Sequence, residues 1–413
     1  MLEISEIVKI AKNNQTPMYL FDLDELAERM HAIQSIVGEN VKLCYAMKAN
    51  PFLVHAMKDL AAKFEVCSPG EFAICEREYV DMSRVVLSGV NKEKQDIIHV
   101  IDDCGGVGIY TVESVNQYHL LCECAEERKK TIKVLLRLTS GNQFGLDESE
   151  LEMIVADREK HPYVQIQGIQ CYTGTQKKKV AHIEEELDWL DSVCDRLKDQ
   201  YGLKVRELEY GPGLPVSYFG DDAYNNNYDM LREFSNKLNQ IRDKYEITLE
   251  MGRYMAATCG MFVSGVADIK TNKGQNYCLI DGGINHINYY GQTMAMKIPA
   301  YTYLKADGTP VAGIDMNKKA KITEEELDKW TICGSLCTVG DVLVKNLPIG
   351  TPEVGDMMIF YNIGAYSVTE GIYLFLSRKM PKIVVWSKAR GTEVYRDFME
   401  SSVINSRQNT ICL

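Results

Sequence analysis

Apolar and polar residues alternate along this chain in two rhythms. From about residue 40 to 255, short apolar runs are separated by stretches whose apolar residues recur at i, i+3 and i+4. "RVVLSGV", "GVGIYTVES", "KTIKVLLRLTS", "QIQGIQCYTGT", "VRELEYGPGLP" and "ITLEMGRYM" read as strands, and "SVNQYHLLCECAEERKK" and "IEEELDWLDSVCDRLKDQYG" as helices. Eight or so strand–helix units predict a parallel sheet closed into a (β/α)8 barrel. From roughly Ala256 the rhythm changes: "GMFVSGVADIK", "NYCLIDGGI", "KWTICGSL", "DMMIFYNIGAY" and "KIVVWSK" are strands joined by turns and loops, an all-β module. An isolated strand, "PMYLFD", precedes the barrel and is expected to pair with that module. The expected division is residues 1–30 joining the β-domain, 31–255 forming the barrel, and 256–413 forming the β-domain.

Composition narrows the function classes. The formal charge of −12 argues against nucleic acid or an anionic membrane as partner, and no apolar run approaches the length of a membrane span. The N-terminal "MLEISEIVKIAKNNQTP" lacks a signal-peptide core, so a cytoplasmic location is the expectation. Thirteen cysteines, odd in number and without paired C-x-x-C clusters, read as reduced thiols rather than a disulfide framework. Seven histidines without an H-E-x-x-H pattern give no metal motif, and no metal is expected.

Candidate chemistry gathers at the strand ends, where such barrels place it. In "CYAMKANP" an apolar strand runs to Met47, and Lys48 sits where the chain breaks at Ala49-Asn50-Pro51. An arbitrary lysine there snorkels to water; the sharper reading is a lysine of lowered pKa, available to form a Schiff base. Later strands end at Ser68 and Glu71, at Arg137, at Tyr172-Thr173-Gly174, at Gly211-Pro212-Gly213, and at Glu250–Arg253. The glycines allow backbone N–H groups to approach a phosphate, which Arg253 can clamp.

These segments also carry a resemblance. "YAMKAN", "FEVCSPGE", "YTGTQ", "YGPGLP", "EMGRYMAA", "CGSLCTVGD" and "IGAY" follow the order found in fold-type III decarboxylases that use pyridoxal 5'-phosphate (PLP). The chain resembles the diaminopimelate, ornithine and arginine decarboxylase group over nearly its whole length. That resemblance implies an alanine-racemase-like barrel, a C-terminal β-barrel or sandwich, and a head-to-tail homodimer with shared active sites. It implies that Lys48 holds PLP, that Gly211 and Gly213 bind its phosphate, and that Arg253 and Tyr366 contact the phosphate. Tyr172 takes the place of a ring-stacking histidine, and Glu250 that of the carboxylate paired with the pyridine nitrogen. A related racemase places an arginine there, so Glu250 favours decarboxylation. Cys337 matches the cysteine that reprotonates the quinonoid across the dimer interface, and Asp341 a carboxylate near the substrate. Arg253, Thr338 and Asp341 are the expected substrate contacts.

Departures from the pattern bear on the substrate. Pro212 replaces a usual glycine and removes an N–H donor, and Thr338 and Val339 stand where diaminopimelate enzymes carry Glu then Ser. "DGGINHINYYGQTM" offers His286, Asn288, Tyr289, Tyr290 and Gln292 but no arginine for a distal carboxylate. The expected activity is therefore decarboxylation of an L-amino acid or derivative, modified or tethered to a carrier protein. Lys177–Lys179 read as a solvated loop, or else as a contact for an acidic carrier. Diaminopimelate decarboxylation in lysine synthesis, amino-acid racemisation and a non-catalytic regulatory homologue are the alternatives.

Overall fold

The computed structural model describes residues 2–220, 222, 226–287, 295–315, 320–321 and 326–407. Two compact units emerge: residues 29–215 with 227–255, and residues 1–28 with 216–226 and 256–413. The stretch 216–226, inside the range expected for the barrel, thus belongs to the other unit.

In the β unit, β1 (Met18–Asp22) is the isolated strand read near the N-terminus. The barrel unit then contributes β2 (Lys42–Ala46), β3 (Lys63–Val66), β4 (Val85–Leu87), β5 (Ile109–Val112), β6 (Ile132–Leu138), β7 (Val164–Tyr172), β8 (Glu207–Gly211) and β9 (Glu246–Met251). These eight strands close into a barrel, each parallel to its neighbours, with β9 returning to β2. Helices cover the outside, and the 22-residue helix Val180–Tyr201 shows why: Ile183, Leu187, Leu190 and Leu197 are buried at helical spacing. It ends where Gly202 takes φ 68° and closes the last turn. Inside the barrel Cys44, Val86, Ile109 and Leu135 pack into one cluster, so the interior is a core and not a channel.

The β unit continues with β10 (Gly260–Asn272), β11 (Gln275–Ile280), β12 (Tyr301–Leu304), β13 (Pro310–Asp315), β14 (Ala320–Lys321), β15 (Lys329–Cys333), β16 (Val342–Pro348), β17 (Met357–Tyr361), β18 (Lys382–Ser387) and β19 (Gly391–Arg396). β1 lies between β10, antiparallel, and β18, parallel, in one mixed sheet. All five residues of β1 are buried, as a central strand requires. The amphipathic helix Ile4–Asn14 covers this sheet, setting Ile7, Val8, Ile10 and Ala11 against Met18, Leu20, Val263, Ile359 and Val384. Each fully buried aliphatic side chain there contributes about 1.5–3 kcal/mol.

Candidate active site

Strand pairing places the central lysine. β2 lies between β9 and β3, with Cys44 opposite Glu250 and Ala46 opposite Glu65. β2 ends at Ala46, and Lys48 follows in a 3-10 turn, Met47–Ala49. Its Nζ sits 2.6 Å from Glu65 Oε2 and 3.5 Å from Glu250 Oε1, one carboxylate from each flanking strand. Gly252 is needed behind this turn: a Cβ there would stand 2.8 Å from Ala46 O and from Ala49 Cβ.

The electrostatics correct one expectation. Burial works to lower the Lys48 pKa, but the charges of Glu65 and then Glu250 outweigh it and hold the ammonium well above the usual lysine range. Lys48 is therefore a paired ammonium and not a lowered-pKa amine. The lysine that burial does lower, to about 8, is Lys92, whose Nζ donates to Gly89 O at 2.7 Å. Glu65 is buried too, yet Lys48 and a hydrogen bond from the Cys67 thiol (2.8 Å) pull its pKa down. Glu250 goes the other way: burial and then the charge of Glu65 raise it, although Gln170 Nε2 donates to its Oε2 at 2.8 Å.

The glycine corner is built by close approach. Tyr172 ends β7 opposite Gly211 at the end of β8. A Cβ on Gly211 would come within 2.6 Å of the Tyr172 ring, so only glycine lets that ring lie against the strand. Gly213 has φ +62°, and a Cβ there would stand 2.0 Å from Gly174 O. Arg253, half-buried, opens a four-residue helix directly after Gly252.

Other strand-end residues serve the scaffold. Ser68 caps the helix Pro69–Arg77 by accepting from Glu71 N, and Glu71 accepts from Cys67 N at 2.7 Å. Arg137 is paired with the buried Glu113 at 3.0 Å. Thr173 and Lys177 both bond Glu186, at 2.6 Å each, so Lys177 is turned inward and only Lys178 and Lys179 of the lysine run are exposed.

Residues 23–257 match the family described as "Pyridoxal-dependent decarboxylase, pyridoxal binding domain". The chain belongs to the pyridoxal-dependent decarboxylases. It is a PLP-dependent carboxy-lyase of fold type III, with pyridoxal 5'-phosphate as cofactor. L-glutamyl-[BtrI acyl-carrier protein] decarboxylase of Niallia circulans is 26% identical over 92% of this chain and 91% of its own. A diaminopimelate decarboxylase of Methanocaldococcus jannaschii is also 26% identical, over 97% and 94%. The crystal structure of diaminopimelate decarboxylase from M. jannaschii with L-lysine superposes with a TM-score of 0.81 at 23% identity, covering 98% of this chain and 94% of that one.

The residues of the decarboxylase fit the cofactor. Gly211 and Gly213 pack tightly against Tyr172 and Gly174 and carry no side chain, which suits close backbone approach to a phosphate, and among the described residues Lys48 supplies the amine flanked by Glu65 and Glu250. Glu65 and Gln170, which complete this group, were not singled out in the sequence; the alternation of β3 and β7 aims them inward. Nor was Glu209, which is fully buried, neither of whose oxygens has a hydrogen-bond partner among the described residues, and whose pKa burial raises well above the carboxylate range.

In the β unit, Cys337 and Thr338 are exposed and line a cavity of about 780 Å³ with Tyr277, Leu336 and Val339. Asp341, expected to meet a substrate, is 2% exposed and accepts from Ile284 N at 2.9 Å and Leu336 N at 2.7 Å. A Cβ on Gly283 or Gly334 would collide with its oxygens. It therefore orders the loop carrying Cys337, because both carboxylate oxygens are occupied by backbone. Tyr366 is half-buried and adopts φ 68°. His286 is buried, and burial pushes it down to about 3, so it is neutral. Asn288, Tyr289, Tyr290 and Gln292 lie outside the described residues.

Proposed function

We propose that this decarboxylase removes the α-carboxylate of an L-amino acid whose distal end is modified or tethered to a carrier, in a homodimer with shared sites. The observation that carries the reading is Lys48 at the barrel mouth between two buried carboxylates, in the chain's glycine-cornered strand ends. When bound, PLP supplies the electron sink that lets CO2 leave. Lys48 is the attachment point, Gly211, Gly213, Arg253 and Tyr366 bind the phosphate, and Tyr172 offers an aromatic face. Glu250 favours a proton on the cofactor's ring nitrogen. Cys337, exposed on its loop, holds the proton that replaces CO2 and serves the partner subunit's site. Trapping with borohydride and peptide mapping tests the attachment: label on Lys92, the lysine with the lowered pKa, would overturn it.

The substrate proposal rests on missing charges. Thr338 cannot bind a distal ammonium as a carboxylate would, the segment 282–293 has no arginine, and His286 is neutral. Each charge-assisted bond is worth about 1.5–3 kcal/mol, so meso-diaminopimelate loses several kcal/mol of recognition. The Niallia circulans relative, named for a carrier-bound glutamyl substrate, supports a tethered one. Measuring CO2 release from free and carrier-linked amino acids decides the point. A kcat/KM for meso-diaminopimelate of about 10⁴ M⁻¹s⁻¹ or more would refute it, and racemisation without CO2 release would refute decarboxylation by this site.

A further inference from the structure

A second cluster of reactive side chains lies on the helices outside the barrel. Glu76 belongs to the helix Pro69–Arg77, His99 to the helix Lys94–Asp102, and Cys104 follows shortly after. Their ligating atoms converge: His99 Nε2 is 3.1 Å from Glu76 Oε1, Cys104 Sγ is 3.4 Å from Glu76 Oε1, and Cys104 Sγ is 3.9 Å from His99 Nε2. We propose that Glu76, His99 and Cys104 bind a transition-metal dication of the zinc type, apart from the catalytic centre.

The geometry suits a tetrahedral ion. With zinc bonds of about 2.3 Å to sulfur and about 2.0–2.1 Å to nitrogen and oxygen, the ligand-to-ligand edges are about 3.4 Å for N–O and about 3.6 Å for S–O and S–N. The three observed edges differ from these by only about 0.2–0.4 Å, which small side-chain movements absorb. His99 is also held for the task. Its Nδ1 lies 2.7 Å from Asp103 Oδ2, which fixes the ring proton there and leaves the Nε2 lone pair for a metal. The Phe72 ring packs edge-on against the imidazole, with centroids 6.1 Å apart, and sets its plane.

Ligand softness chooses the metal. A thiolate beside an imidazole and a carboxylate selects zinc over calcium or magnesium, which prefer oxygen alone. Three protein ligands leave the fourth corner for water or a small anion. Glu76 and His99 also line a cavity of about 160 Å³ together with Cys67 and Lys92. No short motif betrays this site, because Glu76 and His99 are 23 residues apart and Cys104 a further five.

Cobalt titration of the chelator-treated holoenzyme, followed by difference absorbance, tests the proposal. One cobalt per chain is expected, with a thiolate-to-cobalt charge-transfer band in the near ultraviolet. Cys104→Ser should abolish that band, and His99→Ala should weaken binding at least tenfold. Asp103→Asn, which spares all three ligands, should weaken it by about 10–100-fold; a merely hydrogen-bonded surface cluster would show no such effect. Unchanged thermal unfolding of the metal-free variants excludes misfolding as the cause. Absence of a thiolate–cobalt band in the wild type, or its persistence in Cys104→Ser, overturns the site.

Discussion

Replacing Glu65 by Gln probes what holds the lysine at the barrel mouth. The substitution keeps the shape and one acceptor oxygen but removes the charge 2.6 Å from Lys48 Nζ, leaving Glu250 at 3.5 Å. A hydrogen bond to a charged group contributes about 1.5–3 kcal/mol. The Lys48 side chain is 40% exposed, so screening by water puts this pair at the lower end of that range. About 1.4 kcal/mol is a tenfold change in a protonation equilibrium, so the fraction of neutral amine should rise about tenfold. Folding raises the Lys48 pKa above its ordinary value of 10.5. The pair's stabilisation is thus complete below that value and is lost as pH climbs through the raised one. Trace acetylation of the cofactor-free protein from about pH 7 to about 10, read by peptide mass spectrometry, measures the neutral amine directly. Lys48 in Glu65→Gln should label about ten times faster than in the wild type. Labelling that is unchanged or slower would show that Glu65 does not hold the ammonium.

Three further outcomes follow from single contacts. Gly213→Ala, with its Cβ 2.0 Å from Gly174 O and a left-handed backbone, should strain the corner by about 1–2 kcal/mol from the backbone alone and lower PLP affinity at least tenfold in a spectroscopic titration; wild-type affinity would remove this corner from the cofactor site. Tyr19→Phe deletes a hydroxyl that donates to His286 O at 2.6 Å and lies 2.9 Å from Tyr373 Oη, and should cost about 1–3 kcal/mol in urea unfolding; a change below about 0.5 kcal/mol would show that the network adapts. Mixing inactive Lys48→Ala and Cys337→Ala subunits should restore roughly a quarter of wild-type activity if sites are shared across a symmetric dimer; no rescue, with exchange confirmed, would place each site within one chain.

The barrel was legible because its signal is local. Each of its eight strands is a short apolar run bounded by turn residues, and each of the eight observed strands overlaps a quoted segment, to within one or two residues at its start. The β unit was read less completely. β12, β13, β14, β16 and β19 went unread, β16 because Lys345 and Asn346 interrupt its apolar pattern. The amphipathic helix Ile4–Asn14 was hidden by its short, charge-rich sequence, although its apolar face is fully used. Lys48 and Glu250 stood out as charged residues at strand ends. Glu65 and Gln170 did not, since an inward polar residue within a strand is recognisable only once its neighbours across the barrel are known. Likewise, the two backbone hydrogen bonds that Asp341 accepts from Ile284 and Leu336 are visible only in the fold.

The two carboxylates beside Lys48 are not equivalent, and the difference assigns their work. Both are buried, and two like charges around one ammonium cannot be equally satisfied. Glu65 takes the shorter bond to Lys48 and the Cys67 thiol as well, and its pKa falls. Glu250 is left with the longer contact and Gln170, and burial with the Glu65 charge raises its pKa. A buried carboxylate raised in this way is under-compensated, and any N–H donor brought to it recovers part of what burial costs. An arginine at this position would offer a donor instead of accepting one, and would leave Glu65 as the carboxylate partner of the lysine. The asymmetry fits the proposed division of labour, in which Glu65 fixes the amine and Glu250, short of partners, would meet a protonated ring nitrogen.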